Sequence, residues 1–84
     1  MKLLKFYSNF CNPCKVLERI MDVNNIPHDN IDIEEETNAD IVSKYNIKTV
    51  PTLILIEEDG TEVNRHVGMM NLQQLKDFTN EANK

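Results

Sequence analysis

The chain lacks a long apolar run, an extended basic stripe, an internal repeat and a low-complexity linker, and it has only two cysteines in 84 residues. Each lack removes a class of function. No apolar stretch approaches the roughly 18 residues that a membrane-spanning helix needs, so no membrane role is expected. Without a basic stripe to neutralise phosphates, nucleic acid is not expected as a partner. Zinc usually takes four ligands, and only two cysteines are present, with His28 and His66 far off in sequence, so a zinc site is not expected. The start Met1-Lys2-Leu3-Leu4-Lys5 is broken by Lys5 before it can resemble an export signal, and no small-residue cleavage site follows. It is read as mature structure in the reducing cytosol. A permanent disulfide is rare there, whereas a cycling one fits.

What remains is a chain of globular composition, 40 % hydrophobic and 27 % charged, read as one domain over 1–84. Its net charge of −5 is uneven: residues 1–20 carry +3. The two cysteines sit inside that basic segment, in Phe10-Cys11-Asn12-Pro13-Cys14.

The pattern before and after them predicts β-α-β-α-β-β-α. Lys2 to Ser8 is apolar on both alternate sets, as in an interior strand covered by helices, with Lys5 as the misfit. Pro13 to Asn24 is a helix whose apolar stripe is Val16, Leu17, Ile20 and Met21. His28 to Ile33 is a second strand with Ile31 and Ile33 inward. The acidic run Glu34 to Glu36 is a solvated loop. Thr37-x-x-Asp40 resembles a capping box opening a short helix with Ile41, Val42 and Tyr45, ending near Asn46. Leu53 to Ile56 is a central strand, Asp59-Gly60 a hairpin signal, and Thr61 to Val67 an edge strand. Asn71 caps a last helix with stripe Leu72, Leu75, Phe78 and Ala82. A helix joining the first two strands makes them parallel, and the hairpin makes the last pair antiparallel. The fold class is therefore α/β, a mixed four-stranded sheet with helices on both faces.

Cysteines at i and i+3 can close a small disulfide ring at a helix start. Thiolate is the reactive form, and a helix N-terminus stabilises it through free N–H groups and the positive dipole end. Cys11, at or just before the first helical residue, is expected to be the exposed nucleophile. Cys14, one turn in and on the side of Leu17 and Met21, is expected to be buried and to resolve the mixed disulfide. An incidental pair of cysteines is the bland alternative. The spacing, the helix start and Pro13 between the sulfurs weigh against it.

Four stretches together resemble the thioredoxin superfamily: Phe6-Tyr-Ser-Asn-Phe-Cys-Asn-Pro-Cys-Lys15, Asn30-Ile-Asp32, Tyr45-Asn-Ile-Lys-Thr-Val-Pro-Thr52, and Val67-Gly68 with the helix Leu72 to Phe78. The resemblance spans essentially the whole chain and implies the minimal thioredoxin fold, without the leading strand and helix of full-length members. It implies that Pro51 is cis, that the Val50 backbone pairs with a substrate strand, and that Phe10 and Gly68 border the docking surface. It also implies no metal or organic cofactor, only the Cys11–Cys14 couple, acting on disulfide-containing proteins. Electrons would come from a thioredoxin-reductase-type donor. Ribonucleotide reductase is a family-type acceptor that nothing in the sequence selects. The fold needs no partner to complete it, so a monomer is expected.

Tyr7, four residues before Cys11, and Pro13, immediately before Cys14, match thioredoxins more closely than glutaredoxins. The Gly-Gly-x-x-Asp stretch of glutaredoxins is missing. The alternatives are a glutathione-dependent glutaredoxin-like enzyme and a non-enzymatic binding module on the same fold. Three residues depart from the family. Phe10 stands for tryptophan, Asn12 for glycine, and Lys5 for a buried aspartate behind the resolving cysteine. Lys5 could reach water or pair with a carboxylate such as Asp29. It could instead tune the Cys14 pKa with its charge. Phe10, Val50, Met69 and Met70 could form an apolar docking rim, or one methionine could cap the core. Tyr7 could touch the active-site loop or serve the core. His28 and His66 are read as surface strand residues, and Lys15 and Lys48 as solvated charges near Cys11.

Overall fold

A computed structural model of the chain describes residues 1–80. Eight elements follow in order: β1 (Lys2–Tyr7), α1 (Asn12–Val23), β2 (Asp29–Asp32), a 3-10 turn (Glu36–Asn38), α2 (Ala39–Lys44), β3 (Thr52–Ile56), β4 (Glu62–Val67) and α3 (Leu72–Asn80). The four strands form one sheet in the order β2-β1-β3-β4. β1 and β2 are parallel; β3 runs antiparallel to both β1 and β4.

The two-residue period of the strands sorts the core into two layers. Leu3, Leu53 and Leu55 point to one face, where Leu17 and Met21 of α1 and Leu75 and Phe78 of α3 cover them. Leu4, Phe6, Ile31, Ile54 and Ile56 point to the other face, under Tyr45, Ile41 and Val42 from the α2 segment. This is the expected α/β arrangement, with helices on both faces. β1 and β3 are interior, and β4 is an edge.

Several local expectations are corrected. Val16 is half exposed, because the buried stripe of α1 is Cys14, Leu17 and Met21. Val16 lies roughly 100° round the helix from Leu17, which turns it away from the sheet. The Thr37–Asp40 capping box does not form. Thr37 lies inside the 3-10 turn, α2 starts at Ala39, and its cap position Asn38 makes no side-chain cap. The Asn38 amide instead donates to the Asp32 carbonyl at 2.9 Å. Strand β4 starts at Glu62, one residue later than expected, because Gly60 (φ 91°) closes the turn onto the Glu57 carbonyl. Asn71 does cap α3: its Oδ1 accepts from Gln74 N–H at 2.8 Å, and Gln74 Oε1 accepts from Asn71 N–H at 2.9 Å. Ala82 lies outside the described residues.

Candidate functional site

The parallel β1 and β2 strands end side by side, so the loops that follow them meet at one end of the sheet. Ser8 donates to Glu34 at 2.6 Å, and the Asn9 amide donates to Asp32 at 3.1 Å. The loop before the cysteines is thus fastened to the acidic turn after β2. The acidic run is therefore more than a solvated loop. Only the adjacency of the two strand ends gives Glu34 its partner.

Cys11 is the N-cap of α1, with an extended backbone (φ −104°, ψ 106°). Its Sγ accepts from the Cys14 backbone N–H at 3.2 Å and so caps the helix itself. Helix N–H groups have no intrahelical partner in the first turn, so a negative sulfur there meets a real donor as well as the dipole. Cys11 and Cys14 are disulfide-bonded, with Cα atoms 5.2 Å apart. Cys11 is partly exposed, whereas Cys14 is 2 % exposed beneath it. Pro13 sits in the first helical turn, where its missing N–H costs no hydrogen bond.

Cys11 Sγ lies 3.8 Å from the carbonyl oxygen of Val50. The Val50–Pro51 peptide is cis, and Pro51 is buried. The Pro51 carbonyl accepts from Gly68 N–H at 2.8 Å. These contacts bring Cys11, Cys14, Val50, Pro51 and Gly68 into one patch. Gly68 has φ 99°, and a Cβ built on it would meet nothing within 4 Å. Glycine is therefore needed there for backbone conformation, not for room. Gly68→Ala should cost roughly 1–2 kcal/mol through that conformation alone. Urea unfolding would measure it, and an unchanged midpoint would count against the assignment.

Phe10 borders the patch with 87 % of its surface exposed, and Met69 with 40 %. Met70 is buried in the layer under α3, so one methionine faces out and the other serves the core. Val50 is half-buried and packs toward the α2 layer. His66 lies in β4 and contacts the Met69 carbonyl at 3.0 Å; His28, just before β2, contacts the Ile26 carbonyl at 2.7 Å. Tyr7 is half-buried, its hydroxyl pKa raised by burial and then by Asp32. Among the described residues, no group of three or more His, Cys, Asp or Glu could hold a metal ion.

Lys5 does not reach water; it pairs with a carboxylate, as one of the two expectations had it, but with that of Glu18 and not of Asp29. It is 1 % exposed, and its ammonium lies 3.7 Å from Glu18 on α1 and 5.8 Å from the centre of the Tyr7 ring. Register explains the difference. Asp29 is opposite Leu4, on the α2 face, and pairs with Lys2 at 3.5 Å. Lys5 points to the opposite face, beneath α1. No feature of sequence spacing links residue 5 to residue 18; only the seating of α1 does.

Burial lowers the Lys5 pKa from its ordinary 10.5, with Glu18 and then Asp22 opposing. The charged form therefore strains the folded state more than the unfolded one. Glu18 is half exposed and can return to water if its partner is removed. Lys5→Met should raise stability by about 1 kcal/mol near neutral pH, as replacing a buried charge by an apolar group often does. The sign of the pH dependence follows. Between the lowered folded pKa and 10.5 the unfolded chain binds more protons, so wild type gains stability as pH rises. The gap to Lys5→Met should narrow toward pH 10.5. Denaturant midpoints across that range would measure it, and a gap that widens would refute the account.

A family model described as thioredoxin matches residues 1–81. The SPbeta prophage-derived thioredoxin-like protein YosR of Bacillus subtilis is 34 % identical over 68 residues, covering 81 % of this chain and 82 % of that protein. Thioredoxin of Chlamydia trachomatis is 32 % identical over 76 residues, covering 87 % of this chain and 74 % of that protein. Among solved structures, a single-substitution mutant of thioredoxin from Halobacterium salinarum superposes with a TM-score of 0.83 at 31 % identity, over 98 % of this chain and 74 % of that one.

Proposed function

This chain belongs to the thioredoxin family and is a thiol–disulfide oxidoreductase; from that premise we propose that Cys11 attacks disulfides of protein substrates and that Cys14 resolves the mixed disulfide. The observation that carries the division of roles is the contrast between the two sulfurs. Cys11 Sγ is partly exposed and accepts a helix N–H, while Cys14 is closed off beneath it. The first suits attack on an outside disulfide; the second suits a later attack on Cys11 alone.

The chemistry balances without an added group. The Cys11 thiolate attacks one substrate sulfur, and the other leaves as a thiolate that takes a proton from solvent. Cys14, deprotonated, then attacks Cys11 Sγ. The Cys11–substrate bond breaks, the Cys11–Cys14 bond forms, and two electrons have passed to the substrate. A reductase restores the dithiol.

An extended substrate segment lies along Val50 and Pro51, with Phe10 and Gly68 at its borders. The open space over Gly68 and the exposed Phe10 ring support this docking path. Lys5 tunes the pair from beneath. The chain acts as one domain over 1–84, as a monomer in the cytoplasm, and draws electrons from a thioredoxin-reductase-type donor. Ribonucleotide reductase is one acceptor of the right chemical class. Among the described residues, no helix is long and apolar enough to cross a membrane.

Insulin reduction tests the reading. Turnover is expected with NADPH and a thioredoxin reductase. Turnover only with glutathione and its reductase would transfer the chain to the glutathione-dependent class. Binding of partners without any reduction would leave a docking module.

A further inference from the structure

The most deeply buried charge in the described chain is Lys5, and the carboxylate that meets it is one helical turn beyond Cys14. Glu18 follows Cys14 by four residues, so both lie on one face of α1, about 6 Å apart along the axis. Helical side chains lean toward the N-terminus, which carries the Glu18 carboxylate back toward the turn that holds Cys14. The Lys5 ammonium lies 3.7 Å from that carboxylate, on the sheet face that α1 covers with Cys14, Leu17 and Met21. Lys5 and Cys14 are thus enclosed by the same helix turn, at 1 % and 2 % exposure.

With the disulfide closed, Cys14 carries no charge, and the ammonium has Glu18 as its counter-ion. Opening the disulfide turns Cys14 into a titratable sulfur, buried under α1 on the same sheet face as that ammonium. We propose that Lys5 and Glu18 form a redox-linked charge switch in which Glu18, a positioning residue, competes with the Cys14 thiolate for the buried ammonium and so sets how readily the resolving thiol loses its proton. The other charged groups facing this site are Asp22 on α1, which also acts on Lys5, and Tyr7 on β1, with Asp32 and Glu35 acting on that tyrosine.

The half exposure of Glu18 makes the exchange workable. When the thiolate takes the ammonium, Glu18 turns to water and leaves no unpaired buried charge. When the disulfide reforms, Glu18 closes again on Lys5. The proton lost by Cys14 goes to solvent, and the electron pair of its thiolate makes the bond to Cys11 Sγ as the Cys11–substrate bond breaks and the substrate sulfur leaves as a thiolate, the substrate disulfide being the oxidant. No further oxidant or reductant takes part.

The two members of the switch act in opposite directions, which separates it from mere packing. The test is the pH titration of the Cys14 thiolate by its ultraviolet absorbance, which needs no reagent to reach the buried sulfur, with Cys11→Ser leaving Cys14 as the single thiol. Lys5→Met should raise the midpoint by about one pH unit or more, a roughly tenfold loss of thiolate below it. Lys5→Arg, which keeps the charge, should restore most of it. Glu18→Gln should lower the midpoint, because it removes the competitor and leaves the ammonium to the sulfur. Glu18 is on the surface, so this variant keeps the test open even if a change at Lys5 disturbs folding. Shifts in the same direction, or no shift with Glu18→Gln, would overturn the proposal. The switch rests on the dithiol mechanism, but the two fail separately. Absence of cysteine-dependent insulin reduction would remove the mechanism, whereas the thiolate titration reports on the charges whether or not a substrate is turned over.

Discussion

Cys11→Ser should bring insulin-disulfide reduction down to the background of the electron donor alone. Only one atom is replaced, sulfur by oxygen. A serine hydroxyl keeps the size and the helix cap, since serine is itself a good N-cap residue. It does not supply a thiolate at neutral pH and cannot form the mixed disulfide. The fold should therefore persist while the chemistry stops. Cys14→Ser should behave differently. Attack by Cys11 still occurs, but release by the neighbouring thiol does not, so a substrate should accumulate on Cys11 as a covalent adduct. Mass spectrometry of the protein after reaction with an excess of oxidised substrate distinguishes the two. An adduct on Cys14 in Cys11→Ser, with retained turnover, would reverse the assigned roles.

The second large effect is structural. Leu17 is fully buried, three residues after Cys14, and packs with Met21, Leu53 and Leu75 in the layer under α1 and α3. Leu17→Ala removes three heavy atoms from a site with no access to water. The expected cost is about 3 kcal/mol, combining lost transfer energy with the cavity that remains. An 84-residue chain at roughly 0.1 kcal/mol per residue has about 8 kcal/mol in total, so one side chain would remove more than a third. The urea midpoint should fall with the slope unchanged. Activity should fall less than stability while the protein remains folded, because α1 still presents its N-terminus to Cys11. A loss below about 1 kcal/mol would mean that α1 is not anchored through Leu17. By contrast, Val16, its neighbour in sequence, is 51 % exposed and should tolerate alanine with little change.

That contrast between Val16 and Leu17 marks a boundary of what a sequence pattern tells. Apolar periodicity located α1, but a stripe of four apolar residues admits more than one rotation of the helix. The sheet beneath chose the rotation that buries Cys14, Leu17 and Met21. The same holds for Met69 and Met70. Two adjacent methionines are equivalent in sequence, and only the path of the chain after Gly68 turns one in and the other out. The Thr37–Asp40 pattern misleads because Asn38 finds a better partner in the Asp32 carbonyl, a contact across the turn rather than along the helix. The Asn71–Gln74 cap, which is wholly local, was legible through Asn71.

The sequence by itself determined the chemistry and the architecture. Two cysteines three apart at a helix start, Pro13 between them, and strand and helix periods in the order β-α-β-α-β-β-α are local properties, readable along the chain. Tertiary structure alone decided the company those cysteines keep. It set the Val50 carbonyl 3.8 Å from Cys11, fastened the Ser8–Asn9 loop to Asp32 and Glu34, and placed the Lys5 ammonium beside Glu18 rather than Asp29. The physical reason is the same in each case. Alternate residues of a strand face opposite sides of the sheet, so a partner depends on register and on which helix covers that side, and neither is written in the spacing of residues along the chain.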